Sequence, residues 1–206
     1  MVRKLIVGIS GPSTSGKSTI AKRLSEIYKA KIFCLDEYFS FSEKGIQVFH
    51  ETQIFNYDIV ESIDWNLFYN DIIKYYNNND FDIIIIEGFL LFGDERISKI
   101  TDILINIEFN DCDFNLALER RIKRGFNEDV PKDYHENPTI DKIHFSCIYF
   151  EEIVWSEMKK HPEYRIPREW KKPCLKLNAT DDLDNNIKIS TKFVNDCIVK
   201  TSCVIY

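Results

Sequence analysis

Residues 11–19 read GPSTSGKST, and Gly11, Gly16, Lys17 and Ser18 stand at the spacing of a loop that wraps phosphate. The chemistry explains the residue types. Glycines let backbone N–H groups turn inward, and the helix that follows offers its positive end to an anion. The lysine reaches the outer phosphate oxygens, and the Ser hydroxyl is a ligand for Mg²⁺. The chain has only seven glycines, yet Gly8, Gly11 and Gly16 fall within nine residues at this loop. Holding phosphate does not say what is done with it. Transfer to an alcohol also needs an acid to take the hydroxyl proton and an acid to manage the metal.

Two acids stand at the right kind of place. Glu87 ends the apolar run DIIIIE, where a strand edge would put it beside the phosphate loop; Asp82, at the other end of that run, would be far away. The alternative for Glu87 is a surface acid at a strand end. Asp36 follows the run IFCL and suits a proton acceptor, or else a helix cap or turn acid. The basic run Arg120, Arg121, Lys123 and Arg124 is either a solvent-facing helix C-terminus favoured by the dipole or a lid closing on phosphates. Asp58 with Glu61 fits a capping box, and it equally fits a carboxylate that accepts two ribose hydroxyls.

The elements that must position these groups alternate in an α/β pattern, with a mainly parallel sheet of five strands: RKLIVGI, AKIFCL, DIIIIE, DILINIEF and PCLKLNA. Four consecutive isoleucines suit a strand covered on both faces. The first helix, STIAKRLSEIYKA, carries Ile20, Leu24, Ile27 and Tyr28 on one face. IDWNLFYNDIIKYY is a helix ended by the turn Asn77–Asp80, and CDFNLALERRIKR a helix closed by Gly125 in a left-handed conformation. NEDVPKDYHENPT, with two prolines and no period, is expected as a mobile loop. A long amphipathic helix over IDKIHFSCIYFEEIVWSEMKK follows, and a last helix begins at Thr180 or Asp181. The 206 residues contain no internal repeat and no linker that would divide one domain.

Composition narrows the partners. A net charge of −6 argues against a broad nucleic-acid footprint, and no apolar run approaches the length of a membrane span. MVRKLIVGIS is too short in its apolar part for a secretory leader, and six scattered cysteines without a CxxC pair read as reduced thiols. The expectation is a cytoplasmic protein, a monomer or weak homodimer.

In this order, GISGPSTSGKST (8–19), LDEYF (35–39), IFNYDIVESID (54–64), IIIEGFLLF (84–92) and RRIKRGF (120–126) resemble the uridine kinase-like branch of P-loop kinases. Within it they look most like the nicotinamide riboside kinases. The resemblance implies a three-layer P-loop NTPase fold with a lid at about 120–140, ATP as phosphoryl donor, Mg²⁺, and a nucleoside 5′-hydroxyl as acceptor. It implies that Ser10, Gly11, Pro12, Ser13, Thr14, Ser15, Gly16, Lys17, Ser18 and Thr19 surround the ATP phosphates. Arg120, Arg124, Asn178 and Thr180 would be further ATP contacts, and Ser18, Asp36 and Glu87 would serve the metal. Asp36, Lys17 and Arg121 take catalytic roles by the same resemblance. Phe39, Tyr57, Asp58, Arg121 and Phe126, together with Asp36, would hold the nucleoside, with Tyr57 and Phe126 on opposite faces of the base.

An aromatic pair suits a cationic pyridinium, which ring faces attract by about 0.5–2 kcal/mol. A neutral uracil needs partners for its base edge instead. Uridine kinases carry a His-Pro pair after the acid matching Asp58, and Ile59-Val60 stands here. Nicotinamide riboside is therefore the expected acceptor, with uridine or cytidine the alternative. The chain departs from the family at Glu37, where a second aspartate is usual, and at Phe126, where tyrosine is commoner; residues 127–150 match poorly. A guanine-nucleotide switch would need an Asn-Lys-x-Asp element, which is absent. A nucleoside monophosphate kinase would need arginines near Asp36, and residues 35–58 hold none.

Overall fold

The computed structural model describes residues 4–40, 48–49, 54–77, 82–136 and 141–202. Five strands, β1 (Leu5–Ser10), β2 (Lys31–Cys34), β5 (Ile83–Gly88), β6 (Ile103–Glu108) and β7 (Cys174–Asn178), form an all-parallel sheet in the order β2-β5-β1-β6-β7. A short antiparallel pair, β3 (Val48–Phe49) and β4 (Ile54–Phe55), lies apart from it. From β1 the chain crosses to the edge at β2, returns to β5 between them, and then passes through β6 to β7 on the other side, so the loops after β1, β2 and β5 gather at one edge. Such a crevice outside the strand C-termini is where open α/β sheets bind ligands.

Alternation along β5 builds the two cores. Ile83 and Ile85 pack on one face with Ile20, Ala21 and Leu24 of α1 (Lys17–Tyr28) and Val194 of α7 (Leu183–Ser202). Ile84 and Ile86 pack on the other with Phe68 and Ile72 of α2 (Trp65–Tyr76) and Ile97 of α3 (Glu95–Ile100). Covering both faces is why the strand tolerates four isoleucines in a row. On α1 the buried face is Ile20, Ala21 and Leu24, whereas Ile27, expected there, is 52% exposed. Tyr28, half-buried, continues that face onto the same core in place of Ile27.

A third apolar cluster holds the lid. It joins Ala117, Leu118 and Ile122 of α4 (Phe114–Phe126) to Cys147, Ile148 and Phe150, Ile153, Val154 and Trp155. The long helix over 142–160 is continuous but not uniform: α5 (Lys142–Tyr149) passes into a π-helical stretch, Phe150–Trp155, and then α6 (Ser156–Lys160). Helix α4 does not stop at Gly125; it runs to Phe126, and Asn127 takes the left-handed cap position at φ 60°. Asparagine tolerates that conformation, so it ends the helix where glycine was expected to. The start of α7 also shifts, with the Asp182 side chain accepting from the N–H of Asn185 at 2.8 Å.

The polar stretch expected to be mobile is anchored. Tyr134 is buried and donates to Glu151 at 2.9 Å, and the His144 ring bridges Asp141 (2.9 Å) and Asp133 (3.4 Å). Its last residues, 137–139, lie outside the described residues, as do Asn78–Asp80 of the turn expected after α2; Asn77 closes that helix. Among the described residues no helix is long and apolar enough to cross a membrane.

Gly88, at the end of β5, sets the height of the Asp36 turn. A Cβ there would lie 2.6 Å from Leu35 Cβ and 2.8 Å from its Cδ2. Gly88→Ala is expected to lower unfolding stability in urea by about 1–3 kcal/mol, the usual cost of overpacking. An unchanged midpoint would mean the Leu35 turn moves freely, against the tight seating described here.

Candidate active site

The phosphate loop joins β1 to α1. Gly16 caps α1 at φ 95°, a conformation open to glycine, and offers no side chain to the helix end. No acid lies in the first turn of α1, so its N–H groups remain available to an anion. Thr14 is also left-handed (φ 67°), held by its hydroxyl on the carbonyls of Ser13 (2.6 Å) and Ala117 (3.2 Å). The second bond ties the loop to α4. Lys17 is buried, its ammonium 3.5 Å from the Pro12 carbonyl, and it lines a cavity of about 220 Å³ with Ser13 and Ser18.

Both acids singled out in the sequence stand at this edge. Glu87, 2% exposed, accepts from the Ser18 hydroxyl through Oε1 at 2.8 Å. Among the described residues its Oε2 is buried without a hydrogen-bond partner. Asp36 sits in the 3₁₀ turn Leu35–Tyr38, whose cap is Cys34, and its side chain lines the cavity. Burial pushes the Cys34 thiol up to about 12, with Glu87 and Asp36 adding to the shift, so the strand end carries a negative field. A hydroxyl and carboxylates, one with an unmet lone pair, are the hard oxygen donors Mg²⁺ takes. The residues present fit that ion, and Ser18, Glu87 and Asp36 would hold it directly or through water.

The opposite wall comes from segment 56–58 and the lid. Tyr57 and Asp58 line the cavity together with Phe39, Phe89, Arg121, Arg124 and Tyr149. Asp58 is no helix cap: the short 3₁₀ turn Val60–Ser62 starts at Ile59 without a side-chain cap. Its carboxylate instead accepts from the Tyr149 hydroxyl at 3.0 Å. Burial raises the Asp58 carboxyl from its ordinary 3.8 to about 6, although Tyr149 and Arg121 both pull it down. Arg121 donates to Ser13 Oγ at 3.3 Å, and burial, aided by Arg124, pulls its guanidinium below the ordinary value.

Other residues named from the sequence lie elsewhere. The Ser10 hydroxyl is buried against Asn106 (2.7 Å) and the Arg165 carbonyl (2.8 Å), turned into the protein. Arg120 donates to the Ala179 carbonyl at 2.8 Å, fastening α4 to the loop that holds Asn178 and Thr180; there Asn178 Oδ1 accepts from the Thr180 N–H and hydroxyl, both at 2.9 Å. Of the basic run, Lys123 and Arg124 are the exposed cations of the plainer account, and Arg124 also borders the cavity. Phe126 packs against the lid cluster and does not line the cavity opposite Tyr57. Of the cavity's rings the sequence did not single out Phe89 or Tyr149, and Tyr149 is the one that bonds a site acid. It sits 91 residues from Asp58 in an amphipathic stretch, where nothing local separates it from an ordinary core tyrosine.

No family model matches the chain. Among curated proteins, the uridine kinase of Borreliella burgdorferi (strain ZS7) is 30% identical over 160 residues, 65% of this chain and 76% of its own length. The uridine kinase of Mycoplasma genitalium (strain ATCC 33530 / DSM 19775 / NCTC 10195 / G37) is 27% identical over 166 residues, 68% of this chain and 71% of its own. Among solved structures, a gluconokinase from Sinorhizobium meliloti 1021 superimposes with a TM-score of 0.56 at 11% identity, covering 100% of this chain and 99% of that one. That likeness concerns the fold. With the phosphate loop, Ser18–Glu87 and Asp36 gathered at one sheet edge, the chain belongs to the uridine kinase family, phosphotransferases built on the P-loop NTPase fold.

Proposed function

We propose that this chain transfers the γ-phosphoryl group of ATP, in the presence of Mg²⁺, to the 5′-hydroxyl of a nucleoside, and that the nucleoside is nicotinamide riboside. The observation that carries the reading is the pair Asp36 and Asp58 in one cavity with Lys17. A kinase for a sugar alcohol needs one carboxylate at the reacting hydroxyl and a second means of holding the rest of the sugar. The α1 N-terminus and Lys17 bind the phosphates. Asp58 accepts the two ribose hydroxyls, which orients the 5′-oxygen. Asp36 takes its proton as that oxygen bonds to the γ-phosphorus and the bridge to ADP breaks. Arg121 and Arg124 stabilise charge on the transferring group. Mg²⁺, when bound, neutralises phosphate charge.

For the base, four rings (Phe39, Tyr57, Phe89 and Tyr149) and two carboxylates line the cavity, a surrounding that favours a cationic pyridinium. Phe126, expected opposite Tyr57, is half-buried against the lid cluster and does not line the cavity. A second reading, uridine or cytidine as acceptor, is favoured by the curated relatives, which are uridine kinases. A panel of nucleosides with ADP release as readout separates the two. Brisk turnover of uridine or cytidine and none of nicotinamide riboside transfers the chain to the second.

The roles of the two acids are separable. Asp36→Asn is expected to lower kcat by about 100-fold or more, as loss of a general base does, with ATP binding retained in titration. Near-normal turnover removes Asp36 from that role. Asp58 works only as the anion, so kcat/KM for the nucleoside should fall along an acid limb near pH 6, where its carboxyl titrates. The same raised carboxyl sets a stability trade. Folding favours the protonated form, so the wild type loses stability on Asp58's account as pH rises from about 4 through about 6. Asp58→Asn should therefore cripple nucleoside turnover while raising Tm at pH 7, with a smaller gain at pH 5. A Tm lowered at pH 7 would contradict the burial argument.

A further inference from the structure

We propose that Tyr149 is a positioning residue of the nucleoside subsite, its hydroxyl clamping Asp58 and the Tyr57 peptide from the lid helix. The proposal rests on the nucleoside reading above and assigns a residue that none of the sequence motifs contains. One oxygen makes two long-range bonds: it donates to Asp58 Oδ2 at 3.0 Å and accepts from the Tyr57 N–H at 3.2 Å. The Asp58 N–H is itself spent on Asn56 Oδ1 at 2.9 Å, so both ends of the residue are fixed. Among the described residues, no hydrogen bond reaches Asp58 Oδ1. The clamp thus orients the carboxylate plane and leaves one edge open to a diol. Ordering that edge before the ligand arrives removes a cost that binding would otherwise carry.

The helix geometry shows how Tyr149 comes to face the cavity. It is the last residue of α5, and the π-helical stretch begins at Phe150. Bonding of the i→i+5 type inserts an extra residue into the turn and changes which positions share a face; such insertions recur at functional sites. In a regular helix Tyr149 would lie over Ile153. Here Phe150, Ile153, Val154 and Trp155 are buried in the lid cluster, while Tyr149 packs on its edge and lines the cavity with Arg121. Burial also pushes the Tyr149 phenol up from its ordinary value, so it remains a donor through the neutral range.

Tyr149→Phe keeps the ring and its packing and deletes only the clamp. The nucleoside KM should rise about tenfold, the scale of one hydrogen bond to a charged group, with kcat changed less than about threefold and the KM for ATP unchanged. In a cycle with Asp58→Asn, the hydroxyl should matter much less once the carboxylate is gone. A purely structural tyrosine gives the opposite pattern: an unchanged nucleoside KM, or losses that simply add. A nucleoside-free readout keeps the two levels of the argument apart. Removing the acceptor should speed hydrogen exchange of the Tyr57 amide about tenfold or more. An unchanged exchange rate overturns the clamp, whereas a wild-type enzyme that turns over no nucleoside overturns the functional reading and leaves the clamp tested on its own.

Discussion

The structure is organised around unmet electrostatic demand at one sheet edge. The first turn of α1 presents N–H groups with neither a capping side chain nor an acid to satisfy them. One bond away, across the Ser18 hydroxyl, Glu87 buries a carboxylate oxygen with no partner among the described residues. Either feature alone would be a liability, since buried polar groups without partners cost stability. Side by side they make a site in which donors await an anion and an acceptor awaits a cation. The remaining architecture holds that juxtaposition in place. Parallel β1 and β5 put residues 10 and 88 in register, and Gly88 lets the Leu35 turn close over the strand end. The two isoleucine faces lock both strands into separate cores.

How much of this could be read from the sequence depends on how local each signal is. Gly11–Thr19 was legible because a tight loop between strand and helix imposes its own glycines and its own lysine. The acids Glu87 and Asp36 were legible because each ends an apolar run, and the sheet edge follows from where such runs stop. The strand IIII could be assigned because its length and β-branching leave few alternatives. The lid resisted. Gly125 looked like a helix stop, yet a Cβ there would meet nothing within 4 Å, so its position in α4 is permissive and not required. Asn127 caps the helix instead. Phe126 was assigned to the base by resemblance, but the apolar surface of α5 and the π-helical stretch claims it for the lid core. Tyr149 reaches Asp58 only through the fold, and no periodicity encodes a contact between residues 91 positions apart.

The same division separates chemistry from selectivity. On the proposed reading, groups at the ends of β1, β2 and β5 answer to the phosphates and the reacting oxygen, at the sheet edge common to the fold. Groups that face the rest of the acceptor come from segment 56–58 and from the lid, joined by Tyr149. The lid in turn touches the phosphate loop through Arg121 on Ser13 and through the Ala117 carbonyl on Thr14. Selectivity for the acceptor therefore rides on an element whose own core is separate from the two sheet cores.

Charge around the cavity supplies a last constraint. Lys17, Arg121 and Arg124 face Asp36 and Asp58, with Glu87 behind Ser18. Three cations against three acids leave no surplus to meet the several negative charges of a triphosphate. The helix N-terminus contributes only partial charge. On the proposed reading, then, a triphosphate cannot enter this cavity alone without placing uncompensated anions beside Asp36, and binding must be coupled to uptake of a hard cation at the acids. The coupling makes Asp36 useful: beside a neutralised phosphate it can face the acceptor hydroxyl, whereas beside bare phosphate its own charge would repel the group it is placed to serve.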